Sequence, residues 1–293
     1  MAEKVLIDCD NTMGIPGMEI DDGLVILLMA ASKKVEIKGI TGVFGNGSIN
    51  QVMESTQNLI EQIGLTDLPL YRGAKSKNNY NTKAAEFLVN QVNKNPEEIN
   101  ILAIGPLTNI AGAYKLDNDF FKKVKSIVVM GGITDPLVFN GKTMDELNFS
   151  SDHKAAYTVL SSESSIVLAN ANLCLQAFFG KKEMEFVEKN INGISKYIKP
   201  WYNKGEDLIG KKGFYMWDLV AALYLIKPEL FEDRYYYLRS TIDDFKKGKL
   251  KVEEQEKADK NERKIINMPT KIKDIELFKR TIFNLLDNYD IDF

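Results

Sequence analysis

The chain has 293 residues, 44% hydrophobic and 27% charged, an ordinary globular composition with enough length for a large buried core. A net charge of −3 with no basic stripe gives no footprint for nucleic acid or a membrane surface, and no apolar run is long enough to span a bilayer. Two cysteines, Cys9 and Cys174, make no disulfide framework, and one histidine, His153, leaves zinc chemistry and a Ser-His-Asp triad without their usual parts. With no signal-peptide pattern at the start, a cytoplasmic protein with buried free thiols is expected.

The first strand expected is Val5–Asp8, an apolar run ending in Asp8-Cys9-Asp10. A Gly/Pro loop follows, and Asp21-Asp22 then opens a helix expected over 22–32. Four carboxylates gather where a strand ends and a helix begins. Their repulsion calls for a cation or a shared proton, and all-oxygen ligands suit a hard divalent ion such as Ca²⁺ or Mg²⁺. Helix capping accounts for one or two of these aspartates but not for four.

Further strands are expected at 35–44, 99–104, 126–130 and 165–169, between helices near 48–64, 83–93, 107–115, 151–162 and 182–193. Several of these strands are continuous apolar runs, the pattern of a parallel sheet covered on both faces. The alternation predicts an α/β fold, an open, mostly parallel (mixed) sheet flanked by helices with a Rossmann-like core, over one domain spanning 1–293. Asp8 and Asp10, Gly45-Asn46-Gly47, Gly105 to Asn109 and Gly131-Gly132 each follow a strand. They share the carboxyl edge of the sheet, where open α/β sheets bind ligands. The last third reads as an aromatic, charged stretch at 201–210, a helix over 214–226 carrying Trp217-Asp218, and a strand at 235–238. A Lys- and Glu-rich solvated loop or exposed hairpin at 246–264 and an amphipathic helix at 274–286 complete it.

Asp8-Cys9-Asp10-Asn11-Thr12 is similar to the Asp-x-Asp-x-Thr signature of haloacid-dehalogenase-type phosphatases, which use Mg²⁺. Asp243-Asp244 would be the later acidic pair of that family, but no ordered Ser and Lys set accompanies it, and Asp21-Asp22 has no role there. A second resemblance explains more residues. Asp8-Cys9-Asp10, a glycine loop and Asp21-Asp22 before an apolar helix resemble the opening of the inosine-uridine preferring nucleoside hydrolases. The likeness continues in order through Gly39 to Asn46, Leu70 to Gly73, Ala103 to Asn109, Ile127 to Gly132, then Asn140, Glu146-Leu147-Asn148 and Asp152, and finally Trp217-Asp218. Two departures are a longer loop between Asp10 and Asp21, and Trp217 where some members have histidine. A nucleoside- or ribose-binding protein without turnover is the alternative from another class, although a pure binder has no need of Asp10 as a base.

The resemblance implies cleavage of the N-glycosidic bond of ribonucleosides, with purines preferred, in a homodimer or homotetramer. Asp10, Asp22, the Thr108 carbonyl and Asp218 would hold Ca²⁺, and Asp10 would take the proton of the attacking water, with Asp8 orienting the cluster. Asp21, Asn46, Asn140, Glu146 and Asn148 would bind the ribose hydroxyls. Trp217 would stack on the base, with Tyr80 on its other face. Phe178, Phe179, Trp201, Tyr202 and Tyr215 are expected to line the same pocket or fill the core.

Overall fold

The computed structural model describes residues 2–191, 193–255 and 264–287. Strand β1, Glu3–Cys9, is buried from Val5 onward because it lies in the middle of the sheet. It pairs in parallel with β2, Val35–Gly42, on one side. The third strand, β3, Leu70–Arg72, lies beyond β2, and β4, Ile99–Ala103, flanks β1 on its other side. Outward from β4 come β5, Ser126–Met130, and the strand Ile166–Ala169. The strand Ile265–Asn267 continues the parallel run, and Tyr235–Leu238 and Val252–Glu254 close that edge antiparallel. The nine-stranded sheet is therefore mixed and mostly parallel, as the apolar runs predict.

Alternation along β1 divides the core. Val5, Ile7 and Cys9 enter the apolar cluster built on helix α1, Asp21–Ala31, and the helices Trp217–Ile226 and Ile275–Leu286. Leu6 enters the opposite cluster, which takes in α3, Lys83–Lys94, and α4, Thr108–Leu116. Helix α2, Ile49–Gln62, begins with a Ser48/Gln51 capping box. Cys9 and Cys174 are buried free thiols, as expected.

Several boundaries differ from the sequence reading. The helix expected over 214–226 starts at Trp217, because Phe214-Tyr215 is a short strand paired with Phe178-Phe179. The aromatic stretch near 201 is a fifteen-residue helix, Ser195–Ile209, whose internal Pro200 reads in sequence as a break. Leu137–Phe139 and Lys142–Met144 form an unforeseen hairpin. Its turn is Asn140-Gly141, both at positive φ (50° and 72°), the pairing that a tight two-residue hairpin turn favours. In the Lys- and Glu-rich stretch, Val252–Glu254 is a strand of the main sheet, and Ile265–Asn267 just beyond the stretch is another, while 256–263 lies outside the described residues. Among the described residues, no helix is long and apolar enough to cross a membrane.

Candidate active site

Two helix N-termini meet at the carboxyl edge of β1. Helix α1 packs on Trp217–Ile226, and each carries acidic residues in its first turn: Asp21 and Asp22 on one, Asp218 on the other. The positive ends of both helix dipoles point into the acidic cluster and offset part of its repulsion. Neither α1 nor Trp217–Ile226 has a side-chain cap. The aspartates instead bind across elements. Asp21 Oδ2 accepts from the Asp218 N–H at 3.2 Å, and Asp22 Oδ1 accepts from the Asp10 N–H at 3.0 Å.

The loop after β2 supplies further donors. The Asn46 N–H donates to Asp10 Oδ2 at 2.6 Å, and its side-chain amide to Asp22 Oδ2 at 3.3 Å. Gly45 permits this approach, since a Cβ there would stand 1.9 Å from Asp10 Oδ2. Gly45→Ala is expected to displace the Asp10 carboxylate and reduce turnover roughly a hundredfold, with the circular-dichroism spectrum unchanged. Near-wild-type turnover would show that the position of Asp10 is not critical. Alternation along β1 sends Asp8 toward α4, where Asp8 Oδ1 accepts from Asn109 Nδ2 at 2.7 Å and from the Thr41 hydroxyl at 2.5 Å. Asn109 also donates to the Gly42 carbonyl and accepts from the Ala74 N–H, so it ties three strand ends together.

Burial pushes every carboxyl of the cluster upward. Asp8 rises to about 7 against the bonds from Asn109 and Thr41, and Asp21 to about 6 against the Asp218 N–H. Burial also raises Asp10, Asp22 and Asp218 well above the carboxylate range, and their negative neighbours add to the shift. A divalent cation would relieve this crowding. One oxygen from each of Asp21, Asp22 and Asp218 lies within 4.8 Å of the others. Asp10 Oδ1 and Asp21 Oδ1 are buried without a hydrogen-bond partner. Convergent hard oxygens with orphaned lone pairs fit a metal ion.

This side-chain set shares Asp22 and Asp218 with the expected ligands. Asp21 joins the converging oxygens, while Asp10 touches the group through its bond to Asp22, its Oδ2 being held by Asn46. Thr108 is the buried first residue of α4, and its hydroxyl donates to Asp152 Oδ2 at 2.9 Å.

Beside the cluster opens a cavity of about 370 Å³. Its polar lining includes Asp21, Asn46, Glu146, Asn148 and Asp218, and its apolar lining includes Leu137, Phe139, Trp201, Leu208, Phe214 and Trp217. Glu146 caps the helix Leu147–Ser151 by accepting from the Asn148 and Phe149 N–H groups at 2.8 and 3.0 Å, and burial pushes it up to about 7 against those bonds. The Asn148 amide donates to the Ile104 and Met130 carbonyls at the ends of β4 and β5. Tyr215, Phe139 and Trp217 form an aromatic run, with centroids 5.6 and 5.1 Å apart.

Two expected contacts are not brought here. Asn140 sits at the exposed hairpin turn, and its amide donates to the Asp207 carbonyl at 3.0 Å. Turn chemistry accounts for its place, since Asn tolerates the positive φ of this hairpin turn. Tyr80 is not among the lining residues. Its hydroxyl meets Asn78, and Lys115 lies 3.8 Å over its ring, on the α4 side. Asp243-Asp244 belongs to a surface turn, where Asp244 caps through Thr241 and pairs with Lys251, so the phosphatase reading loses its acidic pair. Sequence reasoning missed Glu19, a further carboxylate that lines the cavity from the long loop.

A family model described as inosine-uridine preferring nucleoside hydrolase matches residues 5–280. The chain belongs to that nucleoside hydrolase family. It is 30% identical to uridine nucleosidase 1 of Arabidopsis thaliana over 86% of this chain and 79% of that protein. It is 26% identical to the pyrimidine-specific ribonucleoside hydrolase RihA of Citrobacter koseri over 79% of this chain and 81% of that protein. A solved plant nucleoside hydrolase, PpNRh1, superposes with a TM-score of 0.87 at 21% identity, covering 99% of this chain and 100% of that one. The purine-preferring ribonucleoside hydrolase of Gardnerella vaginalis gives 0.84 at 18% identity, covering 98% of each. The nucleoside hydrolase fold thus carries the acidic cluster at its carboxyl edge.

Proposed function

We propose that this nucleoside hydrolase cleaves the N-glycosidic bond of ribonucleosides to free base and ribose. The observation that carries the reading is the buried acidic cluster, with its orphaned oxygens, opening beside an aromatic cavity. Ca²⁺ is the ion proposed, because its six to eight oxygen ligands tolerate irregular geometry. Asp21, Asp22 and Asp218 would hold it, with Asp10 beside them. When bound, the cation lowers the pKa of coordinated water and neutralises the cluster. Asp10 receives the proton of the attacking water through Oδ1, while the Asn46 N–H holds Oδ2. Water oxygen bonds to the anomeric carbon as the C–N bond breaks. The bonding pair leaves with the base, which takes a proton from solvent. Nearby carboxylates stabilise the oxocarbenium-like sugar at the transition state. Asp21, Asn46, Glu146 and Asn148 are proposed to bind the ribose hydroxyls, so a missing hydroxyl leaves buried polar groups unpaired.

The base is proposed to stack on Trp217. A bicyclic purine covers more of the indole than a pyrimidine does, which favours purines. The names of the curated relatives favour uridine as the second reading. A panel of ribonucleosides and 2′-deoxynucleosides, followed by absorbance with and without chelator, tests the proposal. Ribonucleosides alone should release base, and chelator should stop them. No release from any ribonucleoside would end the reading. Trp217→Ala should then reduce kcat/KM about tenfold more for inosine than for uridine. Equal losses would remove the stacking argument.

A further inference from the structure

The Ser195–Ile209 helix carries Trp201, Gly205, Leu208 and Ile209 to the cavity, a spacing that puts them on one helical face. Two cavity-lining residues hold a buried polar atom with no partner among the described residues, and the two are complementary in kind. Asp21 Oδ1 can only accept from the sugar or face a cation. Trp201 Nε1 can only donate. Leaving an indole N–H dry and unpaired is unfavourable until an acceptor enters. The walls of the cavity are largely apolar.

We propose that the Trp201 N–H is the hydrogen-bond donor that selects the nucleobase, binding an exocyclic carbonyl oxygen or an unprotonated ring nitrogen. This rests on the ribonucleoside hydrolase reading above and names a specificity residue within it. As the C–N bond breaks, its electron pair spreads onto those acceptor atoms. The donated bond therefore strengthens in the transition state and acts on kcat as well as KM. Lys204 reinforces the donor. Its ammonium lies 5.3 Å over the Trp201 ring and draws electron density from the indole. The same ammonium donates to the Gly17 carbonyl, which fastens the helix to the long loop carrying Glu19.

The test is Trp201→Phe, which keeps an aromatic face and removes the N–H. Wild type and variant are compared on inosine against purine riboside, on inosine against 7-deazainosine, and on uridine against its analogue without the 4-oxygen. The 7-deaza pair differs by one acceptor alone, while each of the other two pairs trades a carbonyl oxygen and its neighbouring ring N–H for an unprotonated ring nitrogen. In at least one pair the variant should lose roughly ten- to a hundredfold in kcat/KM on the parent, partly in kcat, while sparing the analogue. Unchanged ratios in all three pairs, or equal losses on every substrate, overturn the proposal. Wild type that hydrolyses none of the parents instead sinks the underlying reading as well. A second measurement does not depend on Trp201→Phe folding. The chain has two tryptophans, hence two indole N–H resonances, and the one remaining in Trp217→Phe belongs to Trp201. It should move downfield when hypoxanthine or uracil is added, and a resonance unmoved by both would also overturn the assignment.

Discussion

Asp10→Asn should fold like the wild type and lose turnover by about three to four orders of magnitude. Asparagine keeps the shape of the side chain and an oxygen for the Asn46 N–H, and the Asp10 backbone bond to Asp22 is untouched. What disappears is the basic Oδ1, which no protein donor occupies. The variant should also be at least as stable without metal as the parent. Burial and neighbouring negative charges already hold Asp10 well above its ordinary range, so removing its charge relieves repulsion. Thermal unfolding alongside base release measures both. A folded variant with wild-type rates would refute Asp10 as the base.

Calcium should raise the unfolding midpoint of metal-free protein by on the order of 5 °C at a hundredfold excess over its dissociation constant, and chelator should reverse it. The sign of the pH dependence follows from the raised carboxyls. Asp21 sits at about 6 in the folded state, and Asp10, Asp22 and Asp218 lie above their ordinary values. The metal-free folded protein thus binds protons that the unfolded chain has released. The contribution of these groups to stability is greatest at low pH and is lost as pH rises through their folded-state values. A cation displaces those protons, so its stabilising effect should be greater at pH 8 than at pH 5. Scanning calorimetry at both values checks this. An equal shift with Mg²⁺ would remove the preference for Ca²⁺, and no shift with either ion would remove the metal.

Much of the sheet was legible because parallel strands buried on both faces leave continuous apolar runs. Ser126–Met130 and Tyr235–Leu238 match the expected bounds, and the other expected strands differ only at their ends. The Ser195–Ile209 helix was not legible, since Pro200 and scattered charges hide its apolar face. Asn140 has the right spacing from Glu146 for a sugar contact, yet its hairpin turn carries it to an exposed position. Asn109 reads as loop punctuation until the alternation of β1 turns Asp8 toward it.

From sequence alone came most of the carboxylates, the order of the main-sheet strands and the helices between them, and the edge on which they meet. These follow from local apolar periodicity and chain order. Tertiary structure decided which oxygens converge. Asp21 and Asp218 are 197 residues apart, and only the packing of two buried helices side by side brings their N-termini together. Burial there, which no local pattern encodes, turns ordinary aspartates into a crowded nest in which one oxygen each of Asp8, Asp10 and Asp21 has no hydrogen-bond partner among the described residues.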